Sequence, residues 1–399
     1  MKYIVLVGDG MADYPIKELG DRTPLEAAKT PNMDFIVQNG SIGRVKTIPH
    51  KMSPASDVAN ISILGYNPAE YYSGRGPLEA ANLGVELEDG DVAFRCNLIT
   101  ALGDTLTDYS AGHISSEEAK KIIELIDNQL GTTRIKFYPG ISYRHLMVVK
   151  RGADDRLENV KCRPPHDITG QSIAKNLPKG KAAEILVKLM RHSQSVLDNH
   201  EINQVRIDLK ENPANMIWLW GQGKKPSMPS FKEKYGISGS MISAVDLLKG
   251  LGKILGLEVI NVPGATGYYD TDYSGKANAA IKALENQDFV FVHVEAPDEA
   301  GHNGDLREKL AAIERFDQLV VGTMLSAFKG REDFRVLVLP DHATPIALKT
   351  HTSDEVCFGI YGKGIKKGDF SGYNEKESLK SKLHFQKGHE LMGYFLREG

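Results

Sequence analysis

The chain has 399 residues, 41% of them apolar, which is enough to bury two or three cores. Its 49 Lys and Arg against 52 Asp and Glu leave a net charge of −3, which excludes general electrostatic attraction to nucleic acid or an anionic membrane and confines anion binding to local groups. No segment approaches the roughly 18 apolar residues of a spanning helix, and the N-terminal apolar run breaks at Gly8-Asp9, well short of a signal-peptide core, so a cytoplasmic location is expected.

In chain order, Tyr3-Ile4-Val5-Leu6-Val7 reads as a buried parallel strand ending before Asp9. A loop with Pro15 and Gly20 leads to Thr23-Pro24-Leu25-Glu26, a cap followed by Pro in the first helical turn. Thr30-Pro31 opens a second helix that ends near Asn39-Gly40 with a glycine stop. Residues 41–48 read as a short strand, and Pro54-Ala55-Ser56-Asp57 precedes a helix with apolar spacing over 58–64, so Ser56 stands at its N-terminus. From about Asp91 the pattern changes to α+β: strands over 92–99 and 135–149, with an amphipathic helix at 115–129 between them. The α/β pattern resumes with the strand Met216–Trp220, a helix over 240–249, a strand over 257–262 and a helix over 275–285. Two more apolar strands, 289–292 and 336–339, precede Asp298 and Asp341. The expected organisation is an α/β parallel-sheet domain of residues 1–79 and 211–399, interrupted by a smaller α+β domain of 80–210. Cys96, Cys162 and Cys357 are far apart, form no C-x-x-C pair, and are expected to be reduced and structural.

Ligands bind at the carboxyl ends of parallel strands, so Asp9, Asp298 and Asp341 are expected to converge. Histidines accompany them: His302 four residues after Asp298 on one helix face, His342 directly after Asp341, and His351 a short loop later. Three carboxylates and three imidazoles suit two divalent ions such as Mn, Zn, Co or Fe. Ser56 at a helix start is either a capping hydroxyl or a nucleophile for phosphoryl transfer, because the helix N-terminus favours the charge that develops there. Ser53 and Ser62 are the local alternatives.

Val7-Gly8-Asp9-Gly10-Met11-Ala12-Asp13, Pro54-Ala55-Ser56-Asp57-Val58-Ala59-Asn60, Tyr72-Ser73-Gly74-Arg75-Gly76-Pro77-Leu78-Glu79-Ala80, Glu295-Ala296-Pro297-Asp298-Glu299-Ala300-Gly301-His302 and Pro340-Asp341-His342 with His351-Thr352 closely resemble the archaeal-type cofactor-independent phosphoglycerate mutases of the alkaline phosphatase superfamily. The resemblance implies an alkaline-phosphatase-like metal domain and two divalent metal ions (Mn, Zn, Co or Mg), one held by Asp298, His302 and His351, the other by Asp9, Ser56, Asp341 and His342. It also implies a transiently phosphorylated Ser56, a small phosphorylated substrate (2- or 3-phosphoglycerate), no requirement for 2,3-bisphosphoglycerate, and an inserted domain that closes over the substrate. Many relatives read Asp-Arg-Arg-Ala-Gly-Arg where this chain has Asp108-Tyr109-Ser110-Ala111-Gly112-His113, and many carry an Arg in the strand that here runs Trp218-Leu219-Trp220-Gly221. Arg75, Arg95, Arg144 and Lys276 are the remaining candidate substrate contacts. The missing arginines keep another small-alcohol phosphotransferase or phosphatase open, a homoserine kinase-like activity among them, beside a non-enzymatic metal-dependent binding protein.

Overall fold

The structure, a computed structural model, describes residues 1–151, 154 and 156–397. The chain divides into a unit of Met1–Tyr72 with Met228–Gly399 and a unit of Ser73–Ser227.

The larger unit is built on an eight-stranded, mostly parallel sheet. Across it the strands run His384–Phe385, Ser41–Val45, Val356–Gly362, Phe334–Leu339, Lys2–Gly8, Phe289–Val294, Gly239–Ile242 and Glu258–Val259. Lys2–Gly8 sits centrally and pairs in parallel with Phe289–Val294 and Phe334–Leu339. All six residues of each of those two neighbours are buried, as strands covered on both faces require, which is why they read as unbroken apolar runs. Helices Pro31–Asn39, Tyr273–Asn286 and Leu306–Arg315 contribute apolar residues to the core beside this sheet. Among the described residues, no helix is long and apolar enough to cross a membrane.

The smaller unit has a five-stranded sheet around Val92–Leu102, which pairs antiparallel with Thr105–Asp108, Arg144–Val149 and Met216–Lys224. Helices Ser116–Leu130 and Ala183–Leu197 bury their apolar stripes in its core.

Several sequence expectations require correction. Met216–Trp220 does not resume the parallel sheet: hydrogen bonding to Val92–Leu102 makes it part of the smaller unit. Helix Arg75–Leu83 packs on that same antiparallel pair. The expected boundaries at 80 and 210 therefore move outward to Ser73 and Ser227. The helix expected over 240–249 is a strand, Gly239–Ile242, followed by helix Asp246–Ile254, because parallel pairing with Phe289–Val292 outweighs local helical spacing. The strand expected over 257–262 shortens to Glu258–Val259. Gly40 ends its helix at φ −135°, outside the left-handed region; its Cβ would collide with the backbone of Ile360 and Tyr361, so close strand approach explains this glycine.

Candidate active site

The carboxyl ends of the three central strands deliver the site. Asp9 follows Lys2–Gly8, Asp341 follows Phe334–Leu339, and His293 is the fifth residue of Phe289–Val294, opposite Val7 in the register. Helix Ala296–Asn303 carries Asp298 and His302 one turn apart on one face. His351 comes from the segment held to Ala343 by the bridge Ala343↔Thr352. The expected residues Asp9, Ser56, Asp298, His302, Asp341, His342 and His351 all come together, and His293 joins them.

Two groups of ligand-type atoms form. In one, ligand atoms of Asp9, His293 and Asp341 lie within 4.8 Å of each other, all three residues buried. His293 Nε2 is 3.1 Å from Asp9 Oδ2 and 4.0 Å from Asp341 Oδ2. Neither Asp9 oxygen nor His293 Nε2 completes a hydrogen bond, although all are shielded from solvent. Orphaned buried acceptors of this kind are costly unless something positive sits among them, so the donor set fits a divalent cation. Burial, and after it the charges of Asp341 and Asp298, push the Asp9 carboxyl well above its ordinary range. Burial also lowers His293 to about 4, keeping it neutral as a metal ligand must be.

In the other group, Asp298, His342 and His351 offer atoms within 4.8 Å of each other. Asp298 Oδ2 lies 3.2 Å from His302 Nε2, and Oδ1 lies 3.4 Å from His351 Nε2. Burial opposes the Asp298 charge, yet the His302 and His351 imidazoles hold its carboxyl well below the usual range. Burial likewise opposes the charge on His302, but the Asp298 carboxylate overrides it and lifts the imidazole to about 9. The His302 and His351 Nε2 atoms face each other at 2.8 Å. The Lys349 carbonyl, 3.0 Å from His302 Nδ1, can only accept and therefore fixes Nδ1 as the donor, leaving Nε2 toward the site. His342 stands between the groups: its Nε2 is 3.4 Å from Asp9 Oδ1 and 3.6 Å from Asp341 Oδ2.

Ser56 is the first residue of helix Ser56–Ile63, and Ala55 at the cap position supplies no side-chain hydrogen bond. The Ser56 hydroxyl instead points to His342, Oγ to Nε2 3.1 Å, so the capping explanation fails. Asn60, one turn on, donates through Nδ2 to the Ser56 carbonyl and to Asp341 Oδ2, each at 2.8 Å, tying the helix start to the acid cluster. The Ser62 hydroxyl is buried and makes no hydrogen bond, and Ser53 is exposed.

The four candidate substrate contacts divide. Lys276 belongs to the larger unit, fully buried, donating from Nζ to the His293 carbonyl at 3.1 Å; burial lowers it to about 8. Arg75, Arg95 and Arg144 belong to the smaller unit. The Arg75 and Arg95 guanidinium carbons lie 5.5 and 4.7 Å from the Trp220 ring centroid. Arg95 Nε is 3.3 Å from Glu79 Oε1, and burial, followed by the charges of Arg75 and Arg144, depresses its guanidinium despite that acid. His166 meets Trp220 edge-on at 5.4 Å, and Tyr109 and His113 meet Tyr143 at 5.7 and 5.8 Å. Tyr109, His113, Tyr143, His166 and Trp220 thus supply aromatic walls around clustered guanidinium groups.

Sequence reasoning missed His293, Asn60 and His166. His293 left a signal: it is the only polar side chain in the strand FVFVHV, and it stands at the carboxyl end. The others depend on tertiary neighbours that spacing does not reveal.

The family pattern described as 2,3-bisphosphoglycerate-independent phosphoglycerate mutase matches residues 37–203. A Methanosarcina acetivorans protein called 2,3-bisphosphoglycerate-independent phosphoglycerate mutase is 54% identical over 399 residues, covering 100% of each chain. The solved PH0037 protein from Pyrococcus horikoshii superposes with a TM-score of 0.84 at 31% identity, covering 100% of this chain and 98% of that one. The cofactor-independent phosphoglycerate mutase from Thermoplasma acidophilum does so with a TM-score of 0.67 at 27% identity, covering 99% of each.

Proposed function

The chain belongs to the 2,3-bisphosphoglycerate-independent phosphoglycerate mutases, and from that premise we propose that it interconverts 2- and 3-phosphoglycerate through a phosphate carried on Ser56. The activity itself follows from full-length identity to relatives bearing that name, which selects the mutase over the kinase-like and non-enzymatic readings. The observation that carries the Ser56 assignment is the hydroxyl that forgoes capping to lie 3.1 Å from His342 Nε2, beside acids with orphaned buried oxygens.

Two divalent cations would be held by Asp9, His293 and Asp341 and by Asp298, His302 and His351, with His342 between them, and would supply positive charge to the phosphoryl oxygens. The protein's own groups do the rest. The N-terminus of Ser56–Ile63 stabilises negative charge at the Ser56 oxygen. His342 Nε2 holds the hydroxyl at 3.1 Å and can take its proton. Ser56 Oγ attacks phosphorus as the P–O bond to glycerate breaks, the serine proton passing to the leaving glycerate oxygen; the retained glycerate then attacks through its other hydroxyl, whose proton returns to Ser56 Oγ as the phosphoserine bond breaks. Holding the glycerate between the two steps requires cationic contacts; Arg75, Arg95 and Arg144, which cluster around Trp220 and Tyr143 in the smaller unit, are our candidates for that role, whereas Lys276 is fully buried against the His293 carbonyl.

The test is isomerisation of 3-phosphoglycerate by metal-loaded protein without added 2,3-bisphosphoglycerate. Wild type should turn over, Ser56→Ala should fold and retain metal yet be inactive, and Arg144→Ala should raise KM with metal content unchanged. Normal turnover by Ser56→Ala contradicts the proposal.

A further inference from the structure

We propose that Thr344 is a positioning residue that fixes the tautomer of His342 by linking it to Asp298 through one hydroxyl; its use for the reaction rests on the reading above. Thr344 is fully buried. Its Oγ1 meets Asp298 Oδ1 in a short hydrogen bond and lies 3.2 Å from His342 Nδ1.

A hydroxyl has one proton to give and can accept at its lone pairs. The Asp298 carboxylate has imidazole nitrogens facing both its oxygens, at 3.2 and 3.4 Å, so it acts as acceptor and takes the Thr344 proton. The Thr344 oxygen is then left to accept, and His342 Nδ1 must be the donor. With its proton on Nδ1, neutral His342 presents an unprotonated Nε2 to Ser56 Oγ, 3.1 Å away, and to the acids around it. That form can hold a cation or take the serine proton; the opposite tautomer can do neither.

The surroundings hold Thr344 in place. Its carbonyl accepts from Lys309 Nζ at 2.8 Å, and Lys309 is in turn paired with Asp13 Oδ2 at 2.7 Å, all buried. Its own N–H donates to the Ala12 carbonyl at 3.2 Å. Gly10, at φ +63°, makes the space: a Cβ there would lie 2.6 Å from both Thr344 Oγ1 and Asp298 Oδ1.

Nitrogen-15 NMR of imidazole-labelled, metal-free protein above neutral pH, with the His342 signals assigned by loss in His342→Gln, reads the tautomer directly. Wild type should show protonated Nδ1 and bare Nε2. Thr344→Val, nearly isosteric, should lose that preference and weaken binding of added Mn, followed by titration calorimetry, by about 10- to 100-fold. Thr344→Ser should keep both. A purely structural role would lower thermal stability in Val and leave the tautomer unmoved. Protonated Nε2 in wild type overturns the proposal even if Thr344→Val fails to fold, and so does unchanged tautomer and Mn affinity in a folded Thr344→Val. Neither outcome depends on whether Ser56 carries phosphate.

Discussion

Glu375 offers a quantitative test of the buried network behind the active site. Its carboxylate is enclosed, accepting from Thr23 Oγ1 at 2.6 Å and from the Asp13 backbone N–H at 3.3 Å. Burial raises it from the ordinary 4.5 to about 7, against the pull of those donors and of Lys309. An acid raised in the folded state binds its proton more tightly folded than unfolded, so this contribution to stability is full below about pH 4.5 and is lost as pH rises through about 7. The shift of about 2.5 units corresponds to roughly 3 kcal/mol once Glu375 is ionised in both states. Gln at this position keeps the shape and cannot ionise. Urea unfolding of wild type and Glu375→Gln at a series of pH values should therefore diverge: between about pH 5 and about pH 8 wild type should lose roughly 2–3 kcal/mol relative to the variant. A fixed cost of about 1 kcal/mol for an imperfectly replaced hydrogen bond would offset the two curves without changing that slope. Parallel curves across the range would refute the burial argument.

Other changes probe the same unit. Lys309→Met leaves Asp13 buried without its counter-charge and should cost about 3–5 kcal/mol in urea unfolding, with Asp13→Asn in the same chain restoring a large part; the pair lies 2.7 Å apart. His293→Ala should fold yet lower the metal bound per chain, measured by elemental analysis after dialysis, because Asp9 and Asp341 lose their shared neutral donor. Full stoichiometry in that variant would remove His293 from the site.

Much of this was legible in the sequence because it rests on short-range rules. Buried parallel strands must be apolar on both faces, so the runs before Asp9, Asp298 and Asp341 announced themselves, and the strand-end rule brought their acids together. Met216–Trp220 misled for the same reason: a strand's partner is chosen by long-range hydrogen bonding, here to Val92–Leu102, and an apolar run carries no label for its sheet. His293 was passed over because a lone imidazole in an apolar strand resembles a core residue until Asp9 is seen 3.1 Å away. Thr344 carried no local signal, since its value lies in contacts with Asp298 and His342.

The central claim is that Ser56 carries the phosphoryl group between the two hydroxyls of glycerate. Mixing wild-type protein with phosphate-labelled 3-phosphoglycerate, quenching within a turnover and mapping the labelled peptide measures it directly. The account predicts label on Ser56, absent from Ser56→Ala; label on Ser53, Ser62 or His342, or isomerisation with no protein-bound phosphate at any time, would contradict it.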